Sequence, residues 1–311
     1  MLNLIYDDIL SLAKLTKPFG RRMITYGAQS EIGTLRKVLV HKPGAELLMV
    51  DPEAPEHFLF KDRPNIILAI KEFEELVETF RSFKVDVEIF NEWNDANQVF
   101  VRDTAVITDK GAILANFKAR VRQGEERVVA KKLRDIHIPI MYQIKEPGHF
   151  EFGDLIFLKP DVVVLGLSNR SDKIGIRQLV NIMRQSGILS RYYVVRVRRP
   201  AIHLDMALNI ASQDLAAVYN TVLENSIIDI LRNEGYEVVS VPKEDFLNLA
   251  INWLTVKSDC IVMIDGYKKN RCTRRLLESY GIDVVSVNVS ELAKGYGGIR
   301  CMTLPIKRTY E

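Results

Sequence analysis

Along the chain, short apolar runs rich in β-branched residues alternate with longer stretches in which apolar positions recur every three to four residues. Five of the short runs read as strands: DVEIF from Asp86, IPIMYQI from Ile138, YYVVRV from Tyr192, YEVVSV from Tyr236 and IDVVSV from Ile282. Their starts lie 52, 54, 44 and 46 residues apart. Each follows a helical pattern, namely IILAIKEFEELVETFRSF, EERVVAKKLRDI, IGIRQLVNIMRQSG, ENSIIDILRNEG and RRLLESYG. Ahead of the helices come strand pairs joined by turn residues: TAVITDKGAILANF, DLIFLKPDVVVLGLS and DMALNIASQDLAAVY, with DCIVMIDG in the same role and LRKVLVHK in the first repeat. The unit is strand, strand, helix, strand, five times over. It cannot cover its own apolar face, so the units must pack around a common centre. The pattern predicts a five-bladed α/β propeller over residues 1–311 as one domain, with residues 1–30 as an N-terminal helical extension.

Composition narrows the setting. Apolar residues make up 47% of 311, enough for a substantial core. Forty-three basic against forty acidic residues leave a net charge of +3 with no like-charge block, which gives no warrant for nucleic-acid or anionic-membrane binding. The three cysteines, Cys260, Cys272 and Cys301, form neither an even disulfide framework nor a CxxC metal motif. A reducing, cytoplasmic location is expected. The start, MLNLIYDDILSLAKLTKPFGRR, reads as a surface helix rather than a signal peptide, and no run approaches the length of a membrane span.

Three aspartates fall in register. Asp103 in VRD, Asp154 in FGD and Asp205 in HLD are 51 and 51 residues apart, each just before the first strand of its repeat. Equivalent loops of a propeller converge on one end of its axis, so the three would gather around one pocket together with Glu151 and His203. Any one of them could instead cap a turn. Clustered carboxylates repel unless a cation lies between them. With five histidines in the chain and one close His/acid pair of the HxD type, no metal site is expected. An organic cation is the better match, because a planar guanidinium presents a fork of donors to carboxylates two at a time.

A guanidinium carbon is a poor electrophile, and attack on it needs a strong nucleophile, a proton donor for the leaving amine and carboxylates that fix its plane. The stretch GYGGIRCMTLP, Gly295–Pro305, offers the thiol of Cys301 behind a pair of glycines, where backbone can approach a ligand closely. The same run could also be a tight turn followed by a small buried hydrophobe. A cationic substrate and a nearby imidazolium would favour the thiolate of Cys301. Cys260, in an apolar strand, and Cys272, on a helix, read as structural, and His149 as a residue behind the site or a loop closure.

With these residues in place the chain resembles the guanidine-modifying enzymes, the arginine deiminase and amidinotransferase superfamily, closest to arginine deiminase without its helical insertion. EIGTLRKVLVHKPG, NQVFVRDT, FEFGD, GLSNR, HLD and GGIRCMTLP occur in the family's order and span nearly everything after the first 30 residues. The resemblance implies the five-bladed propeller (pentein) fold. It also implies a catalytic set of Cys301 as nucleophile forming a covalent amidino intermediate, His203 as general acid and base, Glu151 as guanidinium ligand and proton-transfer aid, and Asp103 and Asp205 as ligands of the guanidinium nitrogens. Asn97, Arg122, Arg170, Phe100 and Asp154 are the implied substrate-binding residues, with Arg120 near enough to Arg122 to leave that match open. Two arginines would select a carboxylate, which favours arginine over its decarboxylated analogue. Three departures stand out: Phe152 replaces a family glycine and is expected to narrow the pocket, while Tyr296 and Arg300 stand where the deiminases often have Arg and His.

The expected activity is hydrolysis of L-arginine, or a close analogue, to citrulline and ammonia, with no cofactor and a small guanidino amino acid as the partner. Amidino transfer to an amine, an arginine dihydrolase outcome giving ornithine, and a non-catalytic propeller that binds a ribosomal or protein partner are the alternatives, and a homo-oligomer is possible.

Overall fold

A computed structural model describes residues 25–92, 95–264 and 269–310. Fifteen strands form five sheets of three. In chain order the strands are β1 (Thr34–His41), β2 (Asp86–Phe90), β3 (Ala105–Thr108), β4 (Gly111–Leu114), β5 (Ile140–Gln143), β6 (Leu155–Lys159), β7 (Val162–Leu167), β8 (Arg191–Arg196), β9 (Leu208–Ile210), β10 (Leu215–Val218), β11 (Glu237–Ser240), β12 (Leu254–Lys257), β13 (Cys260–Ile264), β14 (Asp283–Val287) and β15 (Leu304–Thr309). Every sheet has the same plan: a middle strand pairs antiparallel with one neighbour and parallel with the other.

A parallel partner requires a crossover, and a helix supplies it in each sheet. These are α1 (Ile66–Ser82), α2 (Glu125–Asp135), α3 (Lys173–Gln185), α4 (Ser226–Asn233) and, after the short α5 (Lys243–Leu247), α6 (Arg271–Ser279). The five repeated strands and five helices expected from periodicity are all present. α1 illustrates why: Ala69, Phe73, Leu76, Val77 and Phe80 fall on one buried stripe, and Asn65 caps its start by accepting from Leu68 N at 3.1 Å. The middle strands β4, β10 and β13 are buried along their whole length, covered on both faces, so they read as unbroken apolar runs.

Two strands escaped the sequence pattern. β12 is four residues, LTVK, without clear alternation. β15, the last strand of the chain, pairs antiparallel with β1 and completes the sheet for which the sequence offered no first strand. The first and last repeats are thereby fastened through the backbone. The helix expected at residues 1–22 lies outside the described residues. Residues 25–30 are not helical, with Gly27 N donating to Ile306 O at 2.8 Å and Ala28 N to Ile107 O at 3.0 Å. Among the described residues no helix is long and apolar enough to cross a membrane. Among the described residues no helical bundle interrupts the repeat.

Because β15 alone covers the open side of β1, its apolar residues should matter beyond their size. Ile306→Ala at a fully buried position is expected to cost about 2–5 kcal/mol. A chain ending at Thr303 should show no cooperative unfolding transition by circular dichroism. A cooperative melt from that truncated chain would disprove the closure role of β15.

Candidate active site

The three aspartates in register occupy matching places. Asp103, Asp154 and Asp205 each sit in a single 3-10 turn, Val101–Thr104, Phe152–Asp154 and Leu204–Met206, ahead of the first strand of its sheet. The first turn touches the second and the second touches the third. The register continues where the aspartates stop. Asn252 lies 47 residues after Asp205, and Cys301 lies 49 after Asn252, before β12 and β15 respectively. Five repeats therefore contribute Asp, Asp, Asp, Asn and Cys at equivalent positions. Asn252 was not anticipated, because a further step of 51 residues from Asp205 points to Val256, four positions beyond it. Its Oδ1 accepts from Cys301 N and from Gly298 N, both at 3.1 Å, and its Nδ2 donates to Asp205 O at 3.2 Å. The turn that carries the thiol is thus fixed to the preceding repeat.

A narrow cleft is lined by Asn97, Phe100, Asp103, Arg122, Arg170, His203 and Cys301, together with Leu59, Ile202, Met206 and the 295–297 turn. Glu151 and Asp205 stand just behind, fully buried. His203 Nε2 is 2.9 Å from Glu151 Oε2, and its Nδ1 is 3.6 Å from Asp103 Oδ1. Cys301 Sγ is 3.7 Å from Asp205 Oδ2. Close approach explains two glycines: a Cβ at Gly153 would lie 2.8 Å from His203 Cγ, and one at Gly297 would overlap the Phe100 ring and lie 3.0 Å from Cys301 Cβ. The glycines before Cys301 thus leave room for the ring and the thiol to share one wall.

Several candidate residues are committed to protein partners. Arg122 donates to Asp103 Oδ2 at 2.7 Å and to both oxygens of Glu125 at 2.8 and 2.7 Å, so its guanidinium holds the carboxylate wall in place. Arg120 is exposed, which settles the choice between the two for the cleft. Arg170 reaches Glu151 Oε1 at 3.6 Å with Nη1 making no hydrogen bond. Asp154 does not line the cleft. It accepts from Ser168 Oγ at 2.6 Å and from Leu204 N at 2.9 Å, bracing the turn that follows His203. Asn97 donates to Phe58 O at 2.9 Å and ties the Phe58–Leu59 segment to the cleft.

Phe152 does not narrow the pocket as expected. Its side chain turns into the core and meets Phe150 edge-on at 5.3 Å, because the 3-10 turn sends residue 152 away from the face that carries Glu151. Arg300 is buried too, linking Asp205 Oδ2 at 2.7 Å to Glu31 Oε1 at 3.0 Å. Tyr296 lines the cleft in a left-handed conformation, φ 66°. His149 lies outside the cleft lining, with its backbone N donating to Asp172 Oδ2 at 3.1 Å. Cys260 is buried at the start of β13 and Cys272 is exposed on α6.

The electrostatics follow from burial. Desolvation, with Asp205 and Asp103 close by, pushes the Cys301 thiol well above its ordinary range. Burial alone would lower His203, but Asp103, the Glu151 hydrogen bond and Asp154 raise it to about 9. Burial would raise Glu151, yet His203, Arg170 and Arg122 bring it down to about 2. His203 and Glu151 are therefore an ion pair at neutral pH. One oxygen each of Asp103, Glu151 and Asp205, namely Oδ1, Oε1 and Oδ1, has no hydrogen-bond donor. Asp103, Glu151 and His203 bring ligating atoms within 4.8 Å of one another, a spacing that could hold a metal ion. Arg122 and Arg170 already lie on two of those carboxylates, and their charge opposes a divalent cation there. The donor-hungry oxygens suit a planar, many-donor organic cation instead.

Removing Arg300 leaves Glu31 and Asp205 buried without their shared cation, so Arg300→Met should lower stability by about 3–5 kcal/mol in urea titration. Unchanged stability would show that the pair is dispensable. The His203 pKa is raised on folding, so its contribution to stability is fully present below about pH 6.5 and is lost as pH rises through about 9. A His203→Gln chain should lack that alkaline decline in its denaturation profile. An identical decline in both chains would contradict the imidazolium pairing.

Comparison with known proteins agrees with this geometry. Residues 60–308 match the family model described as "N,N dimethylarginine dimethylhydrolase, eukaryotic". The chain is 29% identical over 282 residues to the uncharacterized protein YkgA of Bacillus subtilis, covering 90% of this chain and 94% of that one. It is 23% identical to an arginine deiminase of Streptococcus agalactiae, covering 90% and 97%. That alignment runs over 402 positions, so the deiminase carries more than a hundred residues that this chain lacks. DDAH from Pseudomonas aeruginosa, a mutant complexed with citrulline, superposes with TM-score 0.73 at 22% identity, covering 87% and 99%. The N-terminal domain of ArgZ, an arginine dihydrolase from cyanobacteria, gives 0.75 at 18% identity, covering 88% and 98%. The fold, the register of buried acids around a thiol and the extent of the family match together place this chain in the N,N-dimethylarginine dimethylhydrolase family, within the guanidine-modifying superfamily.

Proposed function

We propose that this protein hydrolyses the guanidino group of L-arginine, or of an N-methylated arginine, to citrulline and the corresponding amine. In this reading the five sheets are blades around one axis, and the turns bearing Asp103, Asp205, Asn252 and Cys301 meet at its end. The observation that carries the proposal is the trio of buried carboxylate oxygens without a donor, Asp103 Oδ1, Glu151 Oε1 and Asp205 Oδ1, beside a thiol and an imidazolium.

A guanidinium placed there would supply the missing N–H donors. Its charge would also offset the negative field that holds the Cys301 thiol protonated, so the nucleophile would ionise when substrate is bound. The thiolate attacks the guanidinium carbon, forming an S–C bond. The imidazolium of His203 protonates the departing nitrogen as its C–N bond breaks, and ammonia or a methylamine leaves. Neutral His203 then takes a proton from water, whose oxygen attacks the same carbon. Loss of the thiolate yields the ureido group of citrulline. Arg170, whose Nη1 has no hydrogen bond, is the residue best suited to the substrate carboxylate. Arg122 would act through Asp103 rather than on the substrate, given its existing bonds.

The family match supports a methylated substrate as the second reading, and the apolar lining from Ile202, Met206 and Leu59 would suit methyl groups. The arginine deiminase relatives support the unmethylated one. Both converge on the same thiol adduct and the same product, and they differ in the amine released.

Intact-mass spectrometry after brief mixing with L-arginine or N,N-dimethyl-L-arginine separates the outcomes. We expect an adduct on wild-type protein that retains the amino-acid skeleton, absent from Cys301→Ala, with citrulline in solution. An adduct of the bare amidino group with ornithine released would mean amidino transfer, and ornithine with two ammonia molecules would mean a dihydrolase. No adduct and no product with either compound would sink the proposal.

A further inference from the structure

A second cavity, of about 320 Å³, lies on the far side of the wall that carries Tyr296. Its size is at the small end of ligand pockets, which run from roughly 300 to 1,000 Å³. Lys61 and Lys269 both line it, and neither ammonium has a carboxylate partner among the described residues. Among the described residues the acids nearby are already taken: Asp62 and Glu291 both pair with Lys294, at 3.1 and 2.8 Å. Partial burial and the charge of Lys269 hold Lys61 below the ordinary lysine range. Lys61 also lies over the Tyr296 ring, 4.9 Å from its centre, so the cavity and the catalytic cleft share one wall.

The cavity has a second unmet need of opposite kind. Asn270 lines it and is fully buried, and its amide hydrogens go to Asn248 O at 3.1 Å and Ile264 O at 2.7 Å. Two carbonyl partners fix which end of the amide is nitrogen. Its Oδ1 is left without a donor, a buried acceptor that costs about 1–3 kcal/mol unless something supplies a hydrogen. Leu249 and Ile264 make the neighbouring wall apolar. A simple inorganic anion would answer the lysines and leave Asn270 unmet.

We propose that this cavity is a non-catalytic binding site for a small carboxylic acid that carries an N–H or O–H donor beside its carboxylate, an α-amino or α-hydroxy acid. The carboxylate would lie between Lys61 and Lys269, and the donor would go to Asn270 Oδ1.

The test is isothermal titration of the full chain with L-glutamine, L-lactate, acetate and inorganic phosphate, none of which carries a guanidino group. L-glutamine or L-lactate should bind, the first indicating an amino acid and the second a hydroxy acid. Acetate, which lacks the donor, should bind several-fold more weakly. Lys269→Glu and Lys61→Gln, both at exposed positions that leave the fold intact, should each weaken binding about tenfold or more, the equivalent of one charge-assisted hydrogen bond. Cys301→Ala should bind as wild type does. Absence of binding by both L-glutamine and L-lactate would overturn the proposal. So would binding that survives both lysine substitutions, or acetate and phosphate binding as tightly as the donor-bearing acids.

Discussion

Charge buried without water organises this molecule. Carboxylates gathered in an apolar interior repel one another and pay a large desolvation cost, so each must find a cation or a donor. Here the compensation is arranged in two chains of contacts. Arg122 ties Asp103 to Glu125, and Arg300 ties Asp205 to Glu31. His203 and Glu151 lie between them as an ion pair. Each arginine occupies Oδ2 of its aspartate and leaves Oδ1 without a donor. A site that seeks a cation is the residue of that incomplete neutralisation.

The thiol of the cleft is held by the same logic. The thiol of Cys301 sits within reach of Asp205, where a negative charge on sulfur is strongly disfavoured. Its backbone is fixed by Asn252, and Gly297 lets Phe100 close over the same wall. The thiolate is the reactive form of a cysteine, and burial beside Asp205 disfavours it here.

Much of this was legible beforehand because it repeats. Period-2 and period-3.6 patterns in alternation marked the five helices and the five strands that follow them, and the spacing of Asp103, Asp154 and Asp205 put their turns at matching positions. The expectation for Phe152 failed because the direction in which a side chain leaves a one-turn helix is set by its neighbours. Here Phe152 packs on Phe150 within the core. Asp154 shares the register but serves Ser168 and Leu204, a difference that no spacing could have revealed.

The sequence by itself determined the repeat and the guanidine-modifying superfamily and singled out the thiol, the imidazole and the acids as candidates, since these follow from local periodicity and from motifs a few residues long. Tertiary structure alone decided which acid pairs with which arginine, because Arg300 meets Glu31 across 269 positions of chain and Arg122 meets Asp103 across 19. It also decided that β15 returns to β1. Partners so far apart are selected by the shape into which the whole chain packs, and the energy of a buried ion pair depends on that geometry rather than on composition.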